Sequence, residues 1–79
     1  MSEQVSRVVT EVLAEILGED AGRLRHEDVL AERDWDSISS LEALAQLESR
    51  LRVTLDLREF HAVRTVGDLT ELVGRTTAA

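Results

Sequence analysis

The chain is 79 residues long, carries sixteen carboxylates against nine arginines and no lysine for a net charge of −7, and contains no cysteine. That length holds one domain, residues 1–79, whose single core is small enough that its helices must pack well. The charge opposes binding to nucleic-acid phosphates and favours partners with basic surfaces, while the missing thiols exclude disulfides, a cysteine nucleophile and a thiolate metal site.

The first segment places Val5, Val8, Val9, Val12, Leu13, Ile16 and Leu17 at helical spacing and stops at Gly18. This pattern predicts an amphipathic helix with Ser2 as N-cap, Glu3 at the positive end of the dipole and Gly18 in the left-handed conformation that closes it. Residues 18–36 lose the period but keep Leu24, Val29, Leu30 and Trp35 as spaced apolar anchors, so a long packed loop is expected. Loops of that length in small domains are mostly functional.

A second helix is predicted over Ser37–Leu51, with Asp36 as N-cap accepting from the amide of Ser39. Leu44, Leu47 and Leu51 share one side of it with Ser40, while Ile38, Leu41 and Ala45 form a second apolar flank that folding does not require. Downstream, Asp56 caps a short third helix with Leu55, Phe60 and Val63 as core residues. Thr65 to Asp68 reads as a capping-box variant, opening a fourth helix that carries Val66, Leu69, Leu72 and Val73 and closes at Gly74. The tail 75–79 is expected to be disordered, leaving about 3–74 ordered. Val53–Leu55 has strand propensity without a partner strand, so the fold class is all-α: a four-helix bundle with a long first loop and a short third helix.

No apolar run approaches the ~20 residues of a membrane span, and no charged, apolar leader opens the chain. A cytoplasmic protein that avoids membranes is expected. Enzymatic chemistry lacks its parts. A serine nucleophile needs a histidine and an orienting acid, and nothing in the sequence brings His26 or His61 to any serine. There is no glycine-rich phosphate loop and no paired-histidine metal site. The acid pairs Glu19/Asp20 and Asp34/Asp36 lie beside helix ends, where capping accounts for them. What remains is Ser37: a hydroxyl at a helix N-terminus, beside an acid, at the end of a long loop, where an attached anion would be stabilised by the helix dipole and amides.

Asp36-Ser37-Ile38 resembles the Asp-Ser-Leu motif of acyl carrier proteins, and the order of elements around it matches that family over nearly the whole chain, through Glu42, Leu44, Leu47, Glu48, Leu51 and Val63 to Val66. The resemblance implies no catalytic activity, but 4′-phosphopantetheine from coenzyme A attached covalently to Ser37. On the same resemblance Asp36 helps position that serine, and Ile38, Leu41, Glu42 and Ala45 form the surface offered to partners. Arg33-Asp34-Trp35 occupies the stretch where the family often has Leu-Gly, and Trp35, which the resemblance groups with the docking residues, either packs on the loop or covers the base of the arm. The partners implied are a phosphopantetheinyl transferase and acyl-loading and acyl-processing enzymes, met transiently by a freestanding monomer. Arg50 and Arg52 make the second helix less acidic than in fatty-acid carriers, which argues against that role, and the acid before Ser37 leans toward an acyl rather than a peptidyl carrier, so a bacterial polyketide or polyketide-peptide hybrid pathway is expected. The alternatives are an aminoacyl or D-alanyl carrier and an unmodified helical interaction module in which Ser37 is only a capping serine.

Overall fold

A computed structural model of the chain describes residues 3–78. It contains four α-helices: α1 (Glu3–Leu17), α2 (Ser37–Leu51), α3 (Leu57–Ala62) and α4 (Val66–Ala78). The expected all-α bundle with a long first loop and a short third helix is what forms, and no strand is present among the described residues. The expected cap Ser2 lies outside the described residues. Helix α1 buries Val5, Val9, Val12, Leu13 and Ala14 along one face, which lies against both α2 and α4, while α3 rests on α4. Gly18 takes a φ of +69°, and the Glu19 amide turns back to donate to the Ala14 carbonyl at 2.9 Å. Residues with a Cβ resist that left-handed geometry, so glycine here ends the helix.

Two further helix starts follow local rules. Asp56 accepts from the Glu59 amide at 3.0 Å to open α3. At α4 the capping box is reciprocal: the Asp68 amide donates to Thr65 Oγ1 at 3.0 Å, and the Asp68 carboxylate accepts from the Thr65 amide at 3.2 Å and the Arg64 amide at 3.1 Å. The end of α2 departs from the usual glycine, because Arg52 holds the left-handed position at φ 55° and its amide donates to the Glu48 carbonyl. Glu48 then uses its carboxylate to accept from the Leu55 amide at 2.9 Å, joining the end of α2 to the segment that enters α3.

The connection between α1 and α2 is packed rather than free. It makes two single 3-10 turns, Ala21–Arg23 and Leu30–Glu32, the first capped by Asp20, which accepts from the Gly22 amide at 2.8 Å. Its middle pairs with the chain between α3 and α4. Leu30 donates to the Arg64 carbonyl at 2.8 Å, Val66 to that of Asp28 at 3.0 Å and Gly67 to that of His26 at 2.9 Å, around an antiparallel bridge between Val29 and Thr65. A Cβ on Gly67 would stand 3.1 Å from the His26 carbonyl oxygen and 3.2 Å from its Cβ, so the missing side chain lets the loop lie this close. Arg33 pins the same loop from within, paired with Glu19 at its start and with Asp28 at 3.0 Å.

The structure differs from expectation in three places. Ile16, Leu51 and Val63 are only partly buried and flank the core, whereas Ala43 and Leu30 lie inside it with Leu13, Leu47, Phe60, Leu69, Leu72 and Val73. The buried face of α2 is therefore turned toward Ala43 and away from Leu51. Second, Gly74 does not end α4: its φ stays outside the left-handed region and the helix runs on to Ala78. Third, residues 75–78, expected to be a disordered tail, are helical, with Thr76 Oγ1 donating to the Leu72 carbonyl at 2.9 Å and Thr77 Oγ1 to that of Gly74 at 3.1 Å. A glycine inside a helix costs only about 1 kcal/mol, so Gly74 does not by itself stop α4.

Candidate functional site

The chain reaches α2 through a reversal that uses no glycine. Arg33 is extended at φ −117°, and the Trp35 amide donates to the Arg33 carbonyl at 2.7 Å, closing a three-residue turn that residues with a Cβ can adopt. Trp35 is half-buried against the core, its ring 6.0 Å from that of Phe60 and tilted by 55°. Packing fixes its backbone, and the Arg33 clamp fixes the approach from the other side.

Asp36 then caps α2, accepting from the Ser39 amide at 2.8 Å, while its carbonyl accepts from the Ser40 amide at 2.9 Å. The Ser39 amide, and secondarily its hydroxyl, hold the Asp36 carboxyl below the ordinary carboxylate range. Asp36 is therefore an anion committed to the helix start. Ser40 turns its hydroxyl inward to the Ser37 carbonyl at 3.0 Å. The Ser37 hydroxyl engages no described protein group, and Ser37 is exposed at the first position of α2.

A solvent-open hollow of about 530 Å³ adjoins that hydroxyl, lined by Trp35, Asp36, Ser37, Ser40, Leu41 and His61. His61 is the residue that sequence reasoning missed, since nothing in the sequence brings a histidine to Ser37. No local signal could have placed it there: α3 and the start of α2 meet only through the tertiary path of the chain. Among the described residues no hydrogen bond links His61 to Ser37. His26 is exposed on the loop.

The flank beside Ser37 is open to solvent. Ile38 is 71% exposed and Leu41 55%, with Glu42 and Ala45 exposed next to them. Leu57 on α3, which the sequence did not single out, is 54% exposed as well. Among the described residues there is no cluster of side chains able to hold a metal ion, and no helix is long and apolar enough to cross a membrane.

Comparison with known proteins gives these features a context. Residues 7–73 match the family model described as "Phosphopantetheine attachment site". The chain is 34% identical over 73 residues to a non-reducing polyketide synthase, tazA, of Aspergillus terreus; that match takes in 92% of this chain but only 3% of the much longer synthase. It is 30% identical over 69 residues to an acyl carrier protein of Streptococcus thermophilus, covering 87% of this chain and 90% of that one. A D-alanyl carrier protein of Streptococcus suis is 30% identical over 56 residues, 71% of each chain. Among solved structures, the holo acyl carrier protein of Geobacter metallireducens superposes with a TM-score of 0.78 at 27% identity, over 94% of this chain and 86% of that one. With the family model spanning all four helices and a near full-length relative at 30% identity, the chain belongs to the acyl carrier protein family, non-catalytic carriers to which phosphopantetheine is covalently attached.

Proposed function

We propose that Ser37 is the acceptor of the phosphopantetheine arm, and that the chain carries acyl groups as thioesters on that arm and presents them to a succession of partner enzymes. The observation that carries this reading is the unengaged, exposed Ser37 hydroxyl at the start of a fifteen-residue helix, where the nearby Ser40 has turned its hydroxyl to the Ser37 carbonyl. The positive end of that helix suits a phosphodiester, and Asp36, by fixing the first turn, holds the hydroxyl outward. In the attachment step a bond forms between Ser37 Oγ and the phosphorus that bears pantetheine. The pyrophosphate link of coenzyme A breaks, adenosine 3′,5′-bisphosphate leaves, and the serine proton is lost to a base supplied by the transferase. The attached arm contributes the thiol that a chain without cysteine lacks.

Ile38, Leu41, Glu42 and Ala45 supply the docking surface. Glu42 steers approach toward basic enzyme surfaces, and the small apolar flank gives weak contact that releases readily. The cargo class rests on the relatives: similarity to a segment of a non-reducing polyketide synthase supports a polyketide or hybrid specialised-metabolite role. The similarity to a D-alanyl carrier protein supports the second reading, an aminoacyl cargo on the same arm.

The test is intact mass after incubation with coenzyme A and a promiscuous phosphopantetheinyl transferase. The wild-type chain gains one phosphopantetheine, and Ser37→Ala keeps its melting temperature and gains none. Modification of the Ser37→Ala chain, or no gain in the wild type, refutes the assignment.

A further inference from the structure

The hollow beside Ser37 has a composition that the attachment step alone does not need. Its polar groups are largely occupied: the Asp36 carboxylate accepts from Ser39, and the Ser40 hydroxyl donates to the Ser37 carbonyl. The Asp36 carboxylate is also a fixed negative charge, which repels a phosphodiester set on the adjacent residue. Facing these from α3 is His61, an exposed imidazole in the wall of the same hollow, held from behind by its ring contact with Phe60 at 5.9 Å. Trp35 and Leu41 complete the wall with apolar surface, Trp35 anchored on Phe60 and Leu41 55% exposed. Two elements distant in sequence thus bring one ring N–H donor and two apolar side chains to the base of Ser37.

We propose that His61 is a positioning residue for the prosthetic arm: its ring N–H donates to a phosphodiester oxygen on Ser37, and the following apolar part of the arm lies along Trp35 and Leu41 in the hollow. The inference rests on Ser37 being the attachment residue and deepens that reading. Imidazole donates to phosphate oxygen with good geometry and offsets the repulsion from Asp36, and a hydrogen bond to a charged group is about twice as strong as a neutral one. The apolar part of the arm loses water against the indole and leucine, which is favourable in proportion to the area covered. Because the hollow is open, this resting position is weak enough for a partner enzyme to draw the arm out.

The experiment compares apo and holo forms of the full chain by NMR, with the holo form confirmed by mass. Conversion is expected to shift the His61 ring and Trp35 indole resonances more than those of His26, which is not part of the hollow, and to give cross-relaxation between His61 ring protons and the arm. The ³¹P resonance of the arm is expected to differ from that of the same phosphodiester on a short unstructured peptide bearing phosphopantetheinyl-serine. His61→Ala is expected to keep the apo melting temperature and the mass gain, move the ³¹P resonance to its position in the unstructured peptide and abolish at least half of the Trp35 shift. His61→Gln, which keeps an N–H donor, is expected to retain most of the ³¹P displacement. Holo protein whose His61 shifts are no larger than those of His26, or whose ³¹P resonance is the same in wild type and His61→Ala, overturns this inference alone. Absence of the mass gain in the wild type removes the attachment reading, and this inference with it.

Discussion

Leu41 and Leu47 lie on the same helix and have opposite surroundings: Leu41 is 55% exposed and Leu47 is fully buried. Leu41→Glu places a charge on a surface already half in water, so its cost in stability should stay within about 0.5 kcal/mol. Leu47→Ala removes side-chain carbons from the centre of the core and should cost about 3 kcal/mol, from lost transfer energy plus the cavity left behind. A domain of this size has a total stability of about 4 to 12 kcal/mol. At roughly 4 to 8 °C per kcal/mol, Leu47→Ala should melt about 12 to 24 °C lower, and Leu41→Glu within a few degrees of wild type. The functional effect is expected to invert. About half of the 1.5 to 3 kcal/mol that a leucine gains on full burial is still available at Leu41 for a docking enzyme. Its loss should weaken docking by about 0.8 to 1.5 kcal/mol, or about four- to twelvefold in the rate of acyl loading below saturation. Melting followed by helical circular dichroism and loading followed by intact mass, on the same samples, decide the matter. Glu3→Lys on α1 serves as a control that changes charge away from the docking flank, and should leave loading unchanged. A fall of ten degrees or more for Leu41→Glu would place Leu41 in the core, and unchanged loading would remove the docking surface.

Three further outcomes are expected. Arg52→Gly should raise stability by about 0.5 to 1 kcal/mol, because glycine occupies the left-handed C-terminal position of α2 without the Cβ penalty that Arg52 bears at φ 55°; a lower denaturation midpoint would contradict this. Arg33→Gln should lower the melting temperature and speed hydrogen exchange at the Leu30 amide, since it leaves Glu19 and Asp28 without their shared cation in a half-buried loop, while Arg50→Gln should change the melting temperature little because both members of its pair with Glu11 are solvent-exposed. In acid, Asp36 and Asp68 have folded-state carboxyls held low, chiefly by the Ser39 amide and the Arg64 amide respectively, so between the folded and the ordinary value the unfolded chain binds more protons. Their contribution is thus complete above about pH 4 and disappears as pH falls through the lowered values, and Asp36→Asn with Asp68→Asn should flatten the acid limb of stability against pH; an unchanged acid limb in the double variant would refute it.

The parts of this protein legible in its sequence are those decided within one helical turn. Asp36 caps α2 through Ser39, Asp56 caps α3 through Glu59, Thr65 and Asp68 cap each other, and Gly18 turns left-handed, because each hydrogen bond or backbone preference involves residues a few positions apart and depends on their type. The hydroxyl at the start of α2 is set by the same local rules, so the candidate attachment residue could be singled out before any tertiary information. What the fold alone decided runs between distant segments. The loop pairs with the chain before α4 through Leu30 and Arg64, Arg33 gathers Glu19 and Asp28, and α3 delivers His61 to the hollow beside Ser37. Even the buried phase of α2, turned toward Ala43, follows from where α1 lies rather than from the pattern of leucines on α2. Gly74 and Arg52 show the limit from the other side: glycine closes a helix only where the chain turns away, so α4 continues through Gly74, and an arginine adopts the left-handed turn where the path into α3 requires it. Residue type sets which local conformations are cheap, and the packing of the whole chain determines which of them are used.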